Sequence, residues 1–310
     1  MSREALPLPT KWVTLSGTCD LLDNKITYTP LWNSDQDDQE QLEIARLSSN
    51  ETFQTGTIAF TVNFEAKEDI MCLVQLGEQS QENQGVLAGL WSSDNSVFMI
   101  ANTNPQAKPS RFVYSGHVSN LQENHDYHVR IEVNGSRIQL YIDDVLVSST
   151  LGTVHRSPIK LRMRSKSKIV VRDFTVQTSK PLMFVVMQFS DEYDQIFKLI
   201  KDVSEPFGYE CVRADTIFRP GAILEDITKS IIDATVIIAD VTTNNPNVFY
   251  ELGYAHASQK TTILLSNKTR EDGLPFDISG FRTLFYANTI AGKTDMEDSL
   301  KKYLKNINLA

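Results

Sequence analysis

Two carboxylates at opposite ends of one short run, DVTTNNPNVFYE from Asp240 to Glu251, are the residues of this 310-residue chain best placed for chemistry. Asp240 closes an apolar run, TVIIAD, that reads as a buried strand, so its carboxylate stands at the strand's carboxyl end. Asn245 followed by Pro246 is a helix-start signal, and the free amides of that start would welcome an anion. Glu251 lies at i+4 from Asn247 and so shares its helix face. Gly253 suggests close approach of that helix to the sheet. A Glu in this position can stabilise, or trap covalently, the oxocarbenium-like sugar formed when an N-glycosidic bond breaks. Asp240 would then hold ribose hydroxyls or share proton traffic. The alternative is structural: Glu251 a solvated helix residue, Asp240 a strand-end cap.

The elements that must position these groups belong to the second of two halves with different rhythms. Up to about Gln177 the chain is a series of short alternating runs. GTIAFTVNF (Gly56 to Phe64) is one, and Tyr127 to Val133 and Arg137 to Ile142 are two more, joined through the hairpin signal Asn134-Gly135. Many such runs predict an all-β sandwich or jelly roll. Beyond Lys180-Pro181, apolar strands alternate with amphipathic helices. That pattern predicts an α/β flavodoxin-like domain with a five-stranded parallel sheet, binding ligands at the carboxyl ends of its strands. The fold class is therefore two-domain: an N-terminal sandwich over residues 1–179 for sensing or assembly, and a C-terminal catalytic domain over 180–310.

Composition narrows the function classes. The chain is 41% hydrophobic and 22% charged, which excludes wholesale disorder. A net charge of −9, shared evenly by the halves, makes nucleic acid an unexpected partner. No apolar stretch has membrane-span length, and MSREALPLPTKW holds no apolar signal core, so a cytoplasmic location without membrane attachment is expected. Cys19, Cys72 and Cys211 show no paired spacing and read as reduced thiols, with no metal site. Neither GxGxxG after the first α/β strand nor GxxxxGK[ST] occurs, so Rossmann-type dinucleotide binding and P-loop chemistry lack support.

The run ADVTTNNPNVFYELGYAHASQKTTILL, with FVVMQFSDEYD (Phe184 to Asp194) and YECVRADTI (Tyr209 to Ile217), resembles the nucleoside 2-deoxyribosyltransferase family, which shares a fold with TIR-like domains. The resemblance covers about residues 182–290. It implies Glu251 as the nucleophile at the anomeric carbon and Asp240 as a sugar ligand. It also implies that Phe189, Ser190, Tyr193 and Asp194 contact base or ribose, with Asp215 as a further polar pocket residue. The bulky approach Asn244-Asn245-Pro246-Asn247, in which Asn244 and Asn247 are further substrate-binding candidates, departs from the small or Gly-rich approach of many members, which counts against a deoxyribonucleoside and leaves room for NAD. The resemblance thus implies an NAD glycohydrolase, with NAD as substrate and no cofactor. It further implies a homo-oligomer and a role in anti-phage defence. A nucleoside or nucleotide deoxyribosyltransferase or hydrolase is the enzymatic alternative; a nucleotide-sensing receptor or scaffold is the non-enzymatic one. His256, at i+5 from Glu251, reads as packed or solvated, and Arg219-Pro220-Gly221 as a solvated turn. The connection Asn267 to Gly280 reads as a lid or assembly surface.

In the first half, DYHVRIEVNGSRIQLYIDDVLVSST and PIKLRMRSKSKIVVRDFTVQT resemble concanavalin A-like jelly rolls of the laminin-G and lectin kind over about residues 10–178, which implies an unidentified ligand or partner there. Trp12, Trp32 and Trp91 read as core or rim residues, with sugar stacking as the alternative. Lys160, Arg162, Arg164, Lys166 and Lys168 recur at spacing two and would share one strand face, unless a turn near Ser165 to Ser167 divides them. That stripe is either a solvated face balancing the acidic run Asp35 to Glu43 or an anion-binding or docking surface.

Overall fold

The computed structural model describes residues 10–22, 24–30, 43–78, 85–93, 96–103, 111–216, 223–270 and 273–309. Trp32, the acidic run up to residue 42, and Arg219-Pro220-Gly221 lie outside these. The chain divides into two compact units, Met1–Val133 with Ile138–Ser179, and Asn134–Arg137 with Lys180–Ala310.

The first unit is built of strands β1 (Trp12–Ser16), β2 (Cys19–Leu22), β3 (Lys25–Tyr28), β4 (Ala45–Phe53), β5 (Gly56–Phe64), β6 (Met71–Leu76) and β7 (Val86–Ser93). It continues with β8 (Ser96–Asn102), β9 (Arg111–Ser115), β10 (Tyr127–Asn134), β11 (Arg137–Ile142), β12 (Val145–Leu151), β13 (Ser157–Arg164) and β14 (Ile169–Thr178). They form two seven-stranded sheets, ordered β1-β4-β13-β6-β7-β8-β9 and β12-β11-β10-β5-β14-β3-β2. The paired strands run antiparallel, as in the continuous register from Tyr127↔Val62 to Val133↔Gly56 between β10 and β5. Alternation sets the faces: Tyr127, Val129, Ile131 and Val133 are buried, while His128 and Asn134 between and beyond them are exposed. The core joins these to Ile58, Phe60 and Val62 of the same sheet and to Leu47, Val74 and Leu161 of the other. Each such side chain contributes about 1.5–3 kcal/mol on burial. The tight turn at Asp143-Asp144 takes two residues with φ of 49° and 62°, a left-handed backbone that Asp tolerates.

The second unit runs β15 (Leu182–Val186), α1 (Asp191–Ser204), β16 (Glu210–Arg213), α2 (Ile223–Asp233), β17 (Val236–Asp240) and α3 (Pro246–Ala257). It ends with β18 (Thr261–Asn267), α4 (Phe276–Ser279), β19 (Thr283–Tyr286) and α5 (Ile290–Leu309). The strands are parallel in the order β16-β15-β17-β18-β19. Successive residues of β15 serve two apolar layers: Met183 and Val185 pack with Ile196, Ile200 and Leu300, whereas Phe184 and Val186 pack with Ile231, Val248 and Leu252. A sheet covered on both faces needs such continuous apolar strands, which is why β15 and β17 lack polar alternation.

The expected fold class is corrected in its weighting. The described residues are mostly a β-sandwich of antiparallel sheets, 46% strand and 26% helix, and the parallel sheet is only a small part of it. Strands of four or five residues make up most of the parallel sheet, whereas those of the sandwich reach nine and ten. Among the described residues, no helix is long and apolar enough to cross a membrane, and no group of three His, Cys, Asp or Glu is arranged for a metal. The three cysteines are unpaired.

Candidate functional site

Helix α3 is set by its first residues. Asn245 adopts an extended backbone (φ −82°, ψ 116°) and its side chain accepts from the Asn247 amide at 3.0 Å, while Pro246 occupies the first turn, where a missing N–H costs nothing. Val248, Leu252 and Ala255 are buried against the sheet. That fixes the rotation of the helix and leaves Asn247 and Glu251 along the wall of a cavity of about 590 Å³. Tyr250 and Val248 complete the helix side of this wall; Met187, Gln188 and Phe189 come from the end of β15, Ala214 and Asp215 from the end of β16, and Leu224 and Ile227 from α2. The cavity thus opens where adjacent parallel strands β15 and β16 end, a place where the chain leaves the sheet in different directions and open α/β sheets hold their ligands.

Glu251 is the carboxyl of this cavity that nothing holds. It is half-buried and makes no hydrogen bond or ion pair among the described residues. Burial pushes its pKa from the ordinary 4.5 up to about 7. A carboxyl poised near neutrality can exchange a proton or, once ionised by a nearby cation, stabilise positive charge.

Asp215 is held differently. Arg213, whose side chain is 6% exposed, donates from Nε to Asp215 Oδ1 at 2.7 Å and from Nη2 to Oδ2 at 2.5 Å, and from Nη2 to Asp194 Oδ1 at 2.7 Å. The same guanidinium lies 5.3 Å from the Phe189 ring centroid and 4.7 Å from that of Phe197. The fork geometry locks the Asp215 carboxylate at the cavity wall. Arg213 and Tyr250 join the site without a local sequence motif that marks them. Arg213 left one signal, a charged residue closing a buried strand, where a partner is required.

The remaining expected residues are more scattered. Asp240 is 1% exposed and does not line the cavity. Its Oδ1 accepts from the Thr242 amide at 2.9 Å and the Thr242 hydroxyl at 2.5 Å, and its Oδ2 from Tyr286 Oη at 2.7 Å. Burial raises its pKa, and these three donors work against that rise. Tyr193 is buried in the apolar layer beneath α1, Ser190 caps α1 without a side-chain bond, and Asp194 is the exposed partner of Arg213. Asn244 accepts from Arg270, which also donates to the Val241 and Thr242 carbonyls and so pins the loop after β17. His256 stacks on Phe281 at 4.4 Å and has a buried Nε2 without a partner. Of the expected residues, Glu251, Phe189, Asp215 and Asn247 are brought together; Asp240, Ser190, Tyr193, Asp194 and Asn244 are not. Gly253 is exposed, and a Cβ there would meet nothing within 4 Å, so the close approach expected of it does not occur. In the first unit, Trp12 packs edge-on against Phe174 at 4.9 Å and Trp91 joins a small cluster with Met71 and Leu73.

No protein-family model matches the chain, and no curated protein matches its sequence. Among solved structures, the carbohydrate-binding module CBM66 from Bacillus subtilis aligns at 15% identity and TM-score 0.41, over 53% of this chain and 93% of that one. Bacillus licheniformis β-glucanase aligns at 9% identity and TM-score 0.39, over 57% and 95%. A prokaryotic β-1,3-1,4-glucanase (lichenase) from a mouse hindgut metagenome aligns at 10% identity and TM-score 0.39, over 53% and 90%. The family resemblance read from residues 182–290 is thereby overturned: the structural neighbours are concanavalin-like jelly-roll glycosidases and carbohydrate-binding modules, not deoxyribosyltransferase or TIR folds. The physical reason is that the ELGYA segment is the interior of helix α3, where Glu251 lines the cavity and Gly253 is exposed, while Asp240 lies outside the cavity bonded to Thr242 and Tyr286, so the three do not form the single unit the resemblance implies. The likeness that remains is one of fold, to jelly rolls.

Proposed function

We propose that the cavity beside Glu251 hydrolyses the N-glycosidic bond of a nucleoside or nucleotide, and that NAD is the substrate to test first. The observation that supports this is one unbonded carboxyl, with its pKa raised to about 7, on the wall of a cavity of about 590 Å³. Glu251 acts as nucleophile or as stabiliser of the oxocarbenium-like sugar. Asp215, held by Arg213, accepts from ribose hydroxyls, and the exposed rings of Phe189 and Tyr250 take a base between them and the helix start. Nicotinamide suits such a site because in NAD it is a cationic ring that takes the bond's electron pair and leaves the sugar as a neutral base, so no acid is needed at the leaving group. Its positive charge also draws Glu251 into the ionised form. The first unit then serves sensing or assembly, and the active form is a homo-oligomer.

The test is release of free base from NAD and from a panel of nucleosides and nucleotides, followed by chromatography with the Glu251→Gln variant alongside. Release that falls by about two to three orders of magnitude in the variant supports the reading. Saturable nucleotide binding without release, in both proteins, replaces it with a nucleotide receptor. A second reading rests on Phe112 and Tyr114, whose rings lie parallel at 6.2 Å and are 48% and 43% exposed on edge strand β9, a surface on which a saccharide can stack. Glycan-array binding lost on Phe112→Ala and Tyr114→Ala would favour it.

A further inference from the structure

The basic stripe of the first unit is divided by the fold: β13 ends at Arg164 and β14 begins at Ile169, so Lys166 and Lys168 fall in the turn between them. There they pair with Asp69 and Glu65, each at 3.5 Å, while Lys160 pairs with Glu78. A neutral group of the second unit is placed with more consequence. Gln188 follows the end of β15 and lies on the wall of the cavity that holds Glu251.

A glutamine amide carries a carbonyl that accepts and an NH2 that donates, so what it offers a ligand depends on which end the protein holds. Here the carbonyl end is held, because Thr243 donates from Oγ1 to Gln188 Oε1 at 2.9 Å. Thr243 is itself tied to the niche at the end of β17. The Tyr193 hydroxyl is hydrogen-bonded to both Thr242 and Thr243. Thr242 donates to Asp240 and accepts from the Asn267 amide at 2.8 Å. The Gln188 Nε2 hydrogens make no bond among the described residues. They stand on the same wall as Asp215 and Glu251, whose carboxylates can only accept.

We infer that Gln188 is a specificity-determining residue of this cavity, its Nε2 donating to an exocyclic carbonyl oxygen of the base. The inference rests on the N-glycosidase reading for the presence of a base. Gln188 adjoins Phe189, whose ring that reading gives to the face of the base, so the amide meets an edge. Two kinds of base share the chemistry: nicotinamide, through its carboxamide, and a 6-oxopurine. An amino group at the same place would set donor against donor in a partly buried site and leave both unbonded. Thr243 is the positioning residue, since without its hydroxyl the amide can turn over and present its carbonyl instead.

The test compares inosine with adenosine, and NAD with its 3-aminopyridine analogue, each pair setting a carbonyl against an amino group. Affinities are read by calorimetric titration of Glu251→Gln, in which turnover does not consume the ligand. The carbonyl member is expected to bind about tenfold more tightly, and the pair with the larger ratio tells an oxopurine from nicotinamide. Adding Gln188→Met should bring the ratio to within about twofold of unity. Thr243→Val should shrink it, and Thr243→Ser, which keeps the hydroxyl, should preserve it. A ratio of two affinities on one preparation does not depend on how much of the protein is folded, so a poorly folding variant still answers. Equal affinity for both members of each pair, or an unchanged ratio in Gln188→Met, overturns the inference, while base release by the parent still upholds the N-glycosidase reading. A carbonyl preference without base release by the parent does the reverse, leaving Gln188 as the base-reading residue of a receptor. Binding of none of these ligands, by the parent or by Glu251→Gln, overturns both.

Discussion

Two regions of the second unit hold a carboxyl whose pKa burial raises, and they differ in what surrounds it. In the niche at the end of β17, Asp240 is closed off from solvent and receives three hydrogen bonds, from the Thr242 amide and hydroxyl and from Tyr286. In the cavity along α3, Glu251 is half-buried, faces open volume and receives none among the described residues. Burial alone therefore does not mark a reactive carboxyl. A group whose lone pairs are filled by fixed donors is a fastening; one with room beside it and no donor is available to a ligand.

The contrast breaks first at turnover. If it is right, Glu251→Gln removes base release by about two to three orders of magnitude while Asp240→Asn, checked for folding, retains it within severalfold. Comparable loss in both variants would merge the two regions into one site. Stability gives the reverse pattern. Asp240→Ala strands the Thr242 amide and the Tyr286 hydroxyl and is expected to cost about 2–4 kcal/mol, read as a lowered urea midpoint with unchanged slope.

The pH dependence sharpens the Glu251 half. Folding raises its pKa from 4.5 to about 7, so in that window the native state holds a proton that the unfolded chain has released. Stability contributed by this group is therefore lost as pH rises through the window. At about pH 8, Glu251→Gln should be more stable than the parent by about 1–2 kcal/mol, a value reduced from the full shift because the group is partly exposed. Near pH 4 the difference should vanish. A variant that is less stable at both values would mean that the carboxylate has a partner after all. The smallest effect is expected beside it: Gly253→Ala, on an open helix face, should stabilise by about 0.5–1 kcal/mol without altering base release.

The strands and helices were legible because their signals are local. GTIAFTVNF alternates at spacing two and is β5 with the same bounds; Asn245-Pro246 caps and starts α3 as its side-chain chemistry demands. The candidate site was legible only in part. Glu251, Asn247, Asp215 and Phe189 meet at one cavity, yet Asp240 was read as their neighbour, since a strand end leaves open whether its side chain turns to the ligand or to the loop that follows. Arg213 and Gln188 escape a local reading for the same reason, because each acquires its meaning from a partner distant in sequence.

What the amino-acid order determined by itself is periodicity, capping and turn chemistry, all of which act over a few residues and do not depend on where the rest of the chain lies. Tertiary packing decided the rest: the weight of the sandwich in the whole, which carboxyl receives hydrogen bonds, and which end of the Gln188 amide is held. Burial and hydrogen-bond saturation are properties of a side chain's surroundings. Those surroundings exist only once strands far apart in sequence have been laid side by side.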